Sequence, residues 1–148
     1  MLALVTGASS GIGLQYATQL ARDYHTDLLL VSNQEEEQKK VAADLAAQYG
    51  VKTIALYADL SKQDAAEQLL QYCQDNNLVV DILINNAGVF FFNPYCETSM
   101  KRIELMLNLH MITVAKLTRL FGEEMINRQL TAEEQAQKLC RKPRQKGY

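Results

Sequence analysis

Cysteine and histidine are scarce in this chain, and neither is placed for metal or disulfide chemistry. Cys73, Cys96 and Cys140 form no C-x-x-C pair and leave an odd count, which supports neither a zinc site nor a disulfide framework. His25 and His110 lie far apart with no ligand spacing around them, so no metal is expected. A surplus of one charge is also lacking. Fifteen basic and 17 acidic residues give a net charge of −2, which predicts neither nucleic acid nor an acidic membrane surface as a partner. No apolar run reaches membrane-spanning length, and no signal peptide stands ahead of the first strand. A soluble, cytoplasmic chain with reduced thiols is the matching expectation. There is no internal repeat or low-complexity tract.

The chain does have apolar mass: at 148 residues and 48% hydrophobic content it can bury the core of one globular domain. Its organising stretch is the beginning, Thr6-Gly7-Ala8-Ser9-Ser10-Gly11-Ile12-Gly13. An apolar run, Leu2-Ala3-Leu4-Val5, precedes it, and a segment with helical periodicity, Ile12 to Tyr24, follows. A strand, a glycine loop and a helix in that order make a site for a pyrophosphate. The glycines permit a tight turn and close backbone approach, and the free N–H groups at the helix start face the anion. The spacing is Gly-x-x-x-Gly-x-Gly; an ordinary glycine-rich turn is the alternative.

The apolar run Asp27 to Ser32 reads as a second strand covered on both faces. Asn33 then opens a helix to about Tyr49, with Val41, Ala42, Leu45 and Ala46 inward, and Gly50 stops it. A third strand, Lys52 to Tyr57, leads into Ala58-Asp59-Leu60. Ser61 caps a helix carrying Ala65, Leu69, Leu70 and Cys73 inward. Val79 to Ile84 is a fourth strand, ending in Asn85-Asn86-Ala87-Gly88. Strands alternating with helices in this way predict an α/β fold with a parallel, Rossmann-like doubly wound sheet. The loop from Val89 to Thr98 holds Phe90-Phe91-Phe92, which either line a cavity or anchor the loop; anchoring is the expectation. A long helix, 99–127, is apolar on more than one face, and the surplus predicts a partner helix and hence a homo-oligomer. Residues 128–148 read as a separate short helix, begun by the capping box Thr131-Ala132-Glu133-Glu134, and a basic tail with Arg141, Lys142, Arg144 and Lys146. A solvated tail is favoured there over a nucleic-acid or membrane patch, because no aromatics interleave the charges.

By Gly88 these motifs add up. The sequence resembles the short-chain dehydrogenase/reductases through the Thr6-to-Gly13 loop, the Asp59-Leu60 pair and the Asn85-to-Gly88 tetrapeptide, with a match reaching about Asn127. The resemblance implies four strands in the order 3-2-1-4 and a nicotinamide dinucleotide. By resemblance Ser9, Ser10 and Ile12 contact that cofactor, while Gly7, Gly11 and Gly13 shape the turn. Asp59 accepts a hydrogen bond from the adenine amino group, Leu60 packs nearby, and Asn86-Ala87-Gly88 meet the nicotinamide ribose. Thr6 and Asn85 tie the first and fourth strands together. Cofactor choice falls to Ser32 and Asn33. An acid there would repel a 2′-phosphate and an arginine would pair with it; these are neither, which tilts the reading towards NADP(H).

The family's catalytic groups are a serine after the fifth strand and a Tyr-x-x-x-Lys pair. None of the seven tyrosines here has a lysine four residues on, so no catalytic residue is assigned. A further family asparagine on the long helix corresponds to His110, read either as a packed histidine or as a proton relay. Three functions follow: the cofactor-binding half of an oxidoreductase without turnover of its own, a nucleotide-binding or dimerisation module, and an inactive truncated product. In the family the fourth strand is interior, so Val79 to Ile84 is expected to form a long apolar edge in this chain.

Overall fold

The structure, a computed structural model, describes the backbone of residues 1–140 and the side chains of residues 1–129. Four strands, β1 (Leu2–Thr6), β2 (Asp27–Ser32), β3 (Thr53–Tyr57) and β4 (Ile82–Ile84), form one sheet in the order β3-β2-β1-β4. Every pairing is parallel, with Leu4 opposite Leu29 and Leu83, and Leu29 opposite Ile54. Helices α1 (Gly11–Tyr24), α2 (Glu35–Tyr49) and α3 (Ala65–Asp75) connect them. After β4 the chain passes a short 3₁₀ turn and enters α4 (Met100–Leu107), a π-helical turn (Asn108–Ile112) and α5 (Thr113–Cys140).

The two-residue period of the strands sorts the core into two layers. Ala3, Val5, Leu28 and Leu30 bury against Ala17 and Ala21 of α1 and Ala42 and Leu45 of α2. Leu4, Leu29 and Val31 point the other way, onto Ala66, Leu69 and Cys73 of α3 and Leu117 and Phe121 of α5. Burial on both faces is why β1 and β2 read as unbroken apolar runs rather than alternating ones. Small alanines on α1 let that helix lie close on the sheet, which holds its first turn at the sheet's carboxyl edge.

Several boundaries differ from the sequence expectation. The helix after β2 begins at Glu35, not Asn33, because Ser32 to Gln34 turn aside at the sheet edge. Its inward stripe is Gln38, Ala42 and Leu45, with Val41 only half-buried. Ser61 does not cap α3, which starts at Ala65; its hydroxyl and N–H are spent on the Asp59 carboxylate. The fourth strand is not a long edge. Its ladder with β1 is three residues; just before it the Asp81 N–H donates to Leu2 O, the Asp81 carboxylate accepts the Leu2 N–H, and the Arg128 guanidinium donates to Val80 O. The helix expected to end near residue 127 continues through Thr131 to Cys140. No proline interrupts it before Pro143, so the Thr131 capping box starts nothing. The basic run from Arg141 lies outside the described residues.

Phe90 and Phe92 do not anchor their loop. They are 75% and 92% exposed and meet edge to face, with centroids 4.8 Å apart. Only Phe91 is half-buried, its ring under the Arg102 guanidinium at 4.1 Å. No element of the described residues covers Phe90 or Phe92, so those two rings have nothing to bury against. Met100, Leu107 and Met111 are also exposed, along one side of the α4–π segment. Among the described residues no helix is long and apolar enough to cross a membrane, and no cluster of His, Cys, Asp and Glu could hold a metal.

Gln38 is 1% exposed and neither end of its amide has a hydrogen-bond partner. Burying an unpaired amide costs more than burying an isosteric hydrocarbon. Gln38→Leu is therefore expected to stabilise the fold by about 1–3 kcal/mol, seen as a higher urea midpoint; an unchanged or lower midpoint refutes it. Burial pushes the Cys73 thiol up to about 11, whereas Cys96 is exposed. In a Cys140→Ser background, a thiol reagent at neutral pH should label Cys96 alone until the chain unfolds. Rapid labelling of Cys73 in the native chain contradicts its enclosure between α3 and the sheet.

Candidate functional site

The chain runs β1, β2, β3 outward and then returns to place β4 on the far side of β1. Such a switch point opens a crevice at the carboxyl ends of the strands. All four strands deliver their next residues to it: Gly7, Ser9 and Ser10 after β1, Ser32 to Gln34 after β2, Ala58 to Ser61 after β3, and Asn86 to Val89 after β4. Leu105 and Leu109 from the long helix close one end. The cleft, open to solvent on one side, has a volume of about 460 Å³.

Its floor is the start of the loop from Gly7 to Gly13, at Gly7, Ser9 and Ser10. Gly7 (φ 66°) and Gly11 (φ 57°) occupy the left-handed region that side chains resist. A Cβ on Gly7 would lie 2.8 Å from Ala87 Cα, and one on Gly13 would strike the Gly7 carbonyl and the Asn86 amide. These two glycines thus let the loops after β1 and β4 touch. Gly11, Ile12 and Gly13 do not line the cleft: Gly13 is buried beneath it and Ile12 is 69% exposed at its rim. Helix geometry leaves the N–H groups of the first turn of α1 without partners in their own helix, beside this floor.

Thr6 locks the two loops together. Its hydroxyl donates to Ile84 O at 3.2 Å and accepts the N–H groups of Asn86 and Ala87 at 2.9 and 3.0 Å. Asn86 answers with its side chain, whose Nδ2 donates to Thr6 O and Gly7 O. The expected tie from Asn85 is absent; its Nδ2 reaches Thr118 Oγ1 on α5, and its Oδ1 is buried without a partner. Successive asparagines after a strand point to opposite sides, and Asn86 is the one facing β1.

At the β3 end, Asp59 Oδ1 accepts both the hydroxyl (2.6 Å) and the N–H (3.1 Å) of Ser61. Those bonds, the hydroxyl's first, hold the Asp59 carboxyl below the usual carboxylate range, so it is an ionised acceptor on the cleft wall. Leu60 is buried, and its carbonyl accepts the Thr113 hydroxyl at 2.7 Å, a strut from α5 that sequence patterning did not reveal. At the β2 end, Ser32, Ser9 and Gln34 are linked by hydrogen bonds. Gln34 also escaped the sequence reading, because a lone polar residue at a helix start carries no periodic signal.

His110 sits in the π-helical turn with its ring against Gly88, where an added Cβ would lie 2.6 Å from Cε1. Its Nε2 is 3.0 Å from Val89 N and 2.8 Å from Val89 O. His110, rather than Asn108, is therefore the long-helix residue that reaches the loop after β4. The site as a whole offers a glycine cradle without room for side chains, unpaired helix-start amides, an ionised acceptor and a backbone loop. That set fits a dinucleotide: Gly7 to Gly13 for the diphosphate, Asp59 for a base donor, and Asn86 to Gly88 for a ribose.

The model of the short chain dehydrogenase family matches residues 1–132. Among curated proteins, a very-long-chain 3-oxoacyl-CoA reductase of Anas platyrhynchos is 32% identical over 130 residues, covering 85% of this chain and 41% of the relative. The ketoacyl reductase HetN of a Nostoc strain is 32% identical over 125 residues, 84% of this chain and 43% of that protein. Among solved structures, a short-chain dehydrogenase from Sphingobium yanoikuyae in complex with NADPH superposes with a TM-score of 0.78 at 30% identity, covering 85% and 48% of the two chains. L-sorbose reductase from Gluconobacter frateurii, complexed with NADPH and L-sorbose, gives a TM-score of 0.78 at 26% identity over 86% and 48%. The chain spans less than half the length of each of these four proteins. Strand order, glycine cradle and sequence match agree: the chain belongs to the short-chain dehydrogenase family and matches the part of it that carries the dinucleotide fold.

Proposed function

We propose that this chain is the cofactor-binding portion of an NAD(P)(H)-dependent short-chain dehydrogenase/reductase, and that by itself it binds dinucleotide without turning over a substrate. The observation that carries the reading is the convergence of four strand ends on one cleft whose floor excludes every side chain at Gly7 and Gly13. Gly7 to Gly13, with Ser9, Ser10 and Ile12 at the rim, take the diphosphate and adenosine ribose. Asp59 and Leu60 take the adenine, and Asn86, Ala87 and Gly88 orient the nicotinamide ribose. When bound, the nicotinamide supplies or accepts a hydride. The chain's own residues hold and orient that ring.

They do not supply a proton. A phenol near pKa 10 works near neutrality only beside a cation, and no tyrosine of this sequence has the lysine four residues on. NADP(H) is the cofactor we favour. Ser32 and Asn33 put no carboxylate where a 2′-phosphate would lie, and the Sphingobium and Gluconobacter structures are NADPH complexes. The 3-oxoacyl and ketoacyl reductases among the relatives support a carbonyl compound as the substrate class of a complete enzyme.

Fluorescence titration of the 148-residue chain with NADPH is expected to saturate, while NADPH oxidation with a panel of carbonyl compounds stays at the background rate. Measurable turnover refutes the second half of the proposal; failure of both NADPH and NADH to saturate favours an inert fragment instead. A second role, self-association through the long helix, is favoured by the exposed Met100, Leu107 and Met111 at i, i+7 and i+11. Met111→Glu should lower the mass found by equilibrium sedimentation to that of one chain. A wild-type chain already monomeric at high concentration removes this role.

A further inference from the structure

The polar groups at the carboxyl end of β2 form a closed hydrogen-bond ring whose direction is fixed by the side-chain carbonyl of Gln34. Oε1 can only accept, so the Ser9 hydroxyl donates to it at 2.7 Å. Ser9 has no second hydrogen, so Ser32 donates to Ser9 Oγ at 3.1 Å, and Ser32 Oγ in turn accepts the Gln34 N–H at 3.1 Å. Both hydroxyl hydrogens are spent inside the ring. What the two serines can still offer the cleft is oxygen lone pairs. The first cation after β2 in the sequence, Lys39, is paired with Glu35 and Glu36 at 2.8 and 3.3 Å.

A ribose 2′-hydroxyl has a hydrogen to give and can meet those lone pairs with the ring intact. A 2′-phosphate has only acceptor oxygens to present and needs donors. It obtains them when Ser9 releases Gln34 and turns its hydrogen outward. We propose that Gln34 is a specificity-determining residue: its side-chain carbonyl, by holding the Ser9 hydroxyl, sets the cost of admitting a 2′-phosphate and so the ratio of NADPH to NADH binding. This rests on the cofactor reading and deepens it. The missing acid at Ser32 and Asn33 leaves the 2′-phosphate unrepelled, and Gln34 restrains how far that advantage goes. The change from one neutral hydrogen bond corresponds to about threefold to tenfold in a binding constant.

The test is titration of the full chain with NADPH and with NADH in four forms: wild type, Gln34→Ala, Gln34→Glu and the double variant Ser9→Ala with Gln34→Ala. Gln34→Ala should raise the NADPH-to-NADH affinity ratio by about threefold to tenfold. Ser9→Ala on top of it should erase that gain, because the freed hydrogen belongs to Ser9. Gln34→Glu places a carboxylate at the same point and should lower the ratio by about tenfold or more. An unchanged ratio in Gln34→Ala, or a gain that survives Ser9→Ala, overturns the proposal while leaving the dinucleotide site in place. Absence of saturable binding of either dinucleotide by the wild-type chain is a separate result, which overturns the cofactor reading and this inference with it.

Discussion

The site depends on one close approach, the loop after β1 lying directly against the loop after β4. Gly13 rests on the Gly7 carbonyl and the Asn86 amide, and Gly7 rests on Ala87, with no space for a methyl group at either glycine. The Thr6 hydroxyl completes the contact by serving three backbone groups at once, the last carbonyl of β4 and two amides of the loop after it. Because β1 and β4 are neighbours in a parallel sheet, both loops leave the same edge and must share that space. The cleft is what remains above them.

The two core layers serve this contact rather than merely surrounding it. Alanines on α1 bring the helix close enough for its first turn to reach the floor of the cleft. On the opposite layer, Leu117 and Phe121 press α5 onto the sheet, and Thr113 carries that anchoring to the Leu60 carbonyl. The wall at Asp59 is thus fixed from the long helix, some 50 residues away in sequence. The cleft wall at Asp59 and Leu60 and the packing of the far helix are one structural unit.

Much of this was legible in the sequence. The parallel α/β class and the four strand ends follow from apolar runs, glycine spacing and alternating elements, signals that depend on local chemistry and period, while the strand order comes from the family resemblance. Ser9, Ser10, Ser32, Asn33, Asp59, Leu60, Asn86, Ala87 and Gly88 do line one cleft. The failures are non-local. Phe90 and Phe92 stay exposed because nothing among the described residues lies over them, and burial of a loop aromatic depends on what overlies it. The tie from Asn86 rather than Asn85 depends on which side of the chain faces β1. The buried Gln38 replaces an apolar residue on a stripe that periodicity alone cannot complete. Helix continuity past Arg128 shows that a capping box needs a preceding break to have any effect.

One imidazole nitrogen, Nε2 of His110, lies within reach of both the amide hydrogen and the carbonyl oxygen of Val89. Bare, that nitrogen holds the amide; carrying a hydrogen, it holds the carbonyl; it never holds both. The widened helical turn therefore presents the Val89 end of the crevice with two interchangeable patterns of polarity in a single shape, selected by where one hydrogen resides on a ring.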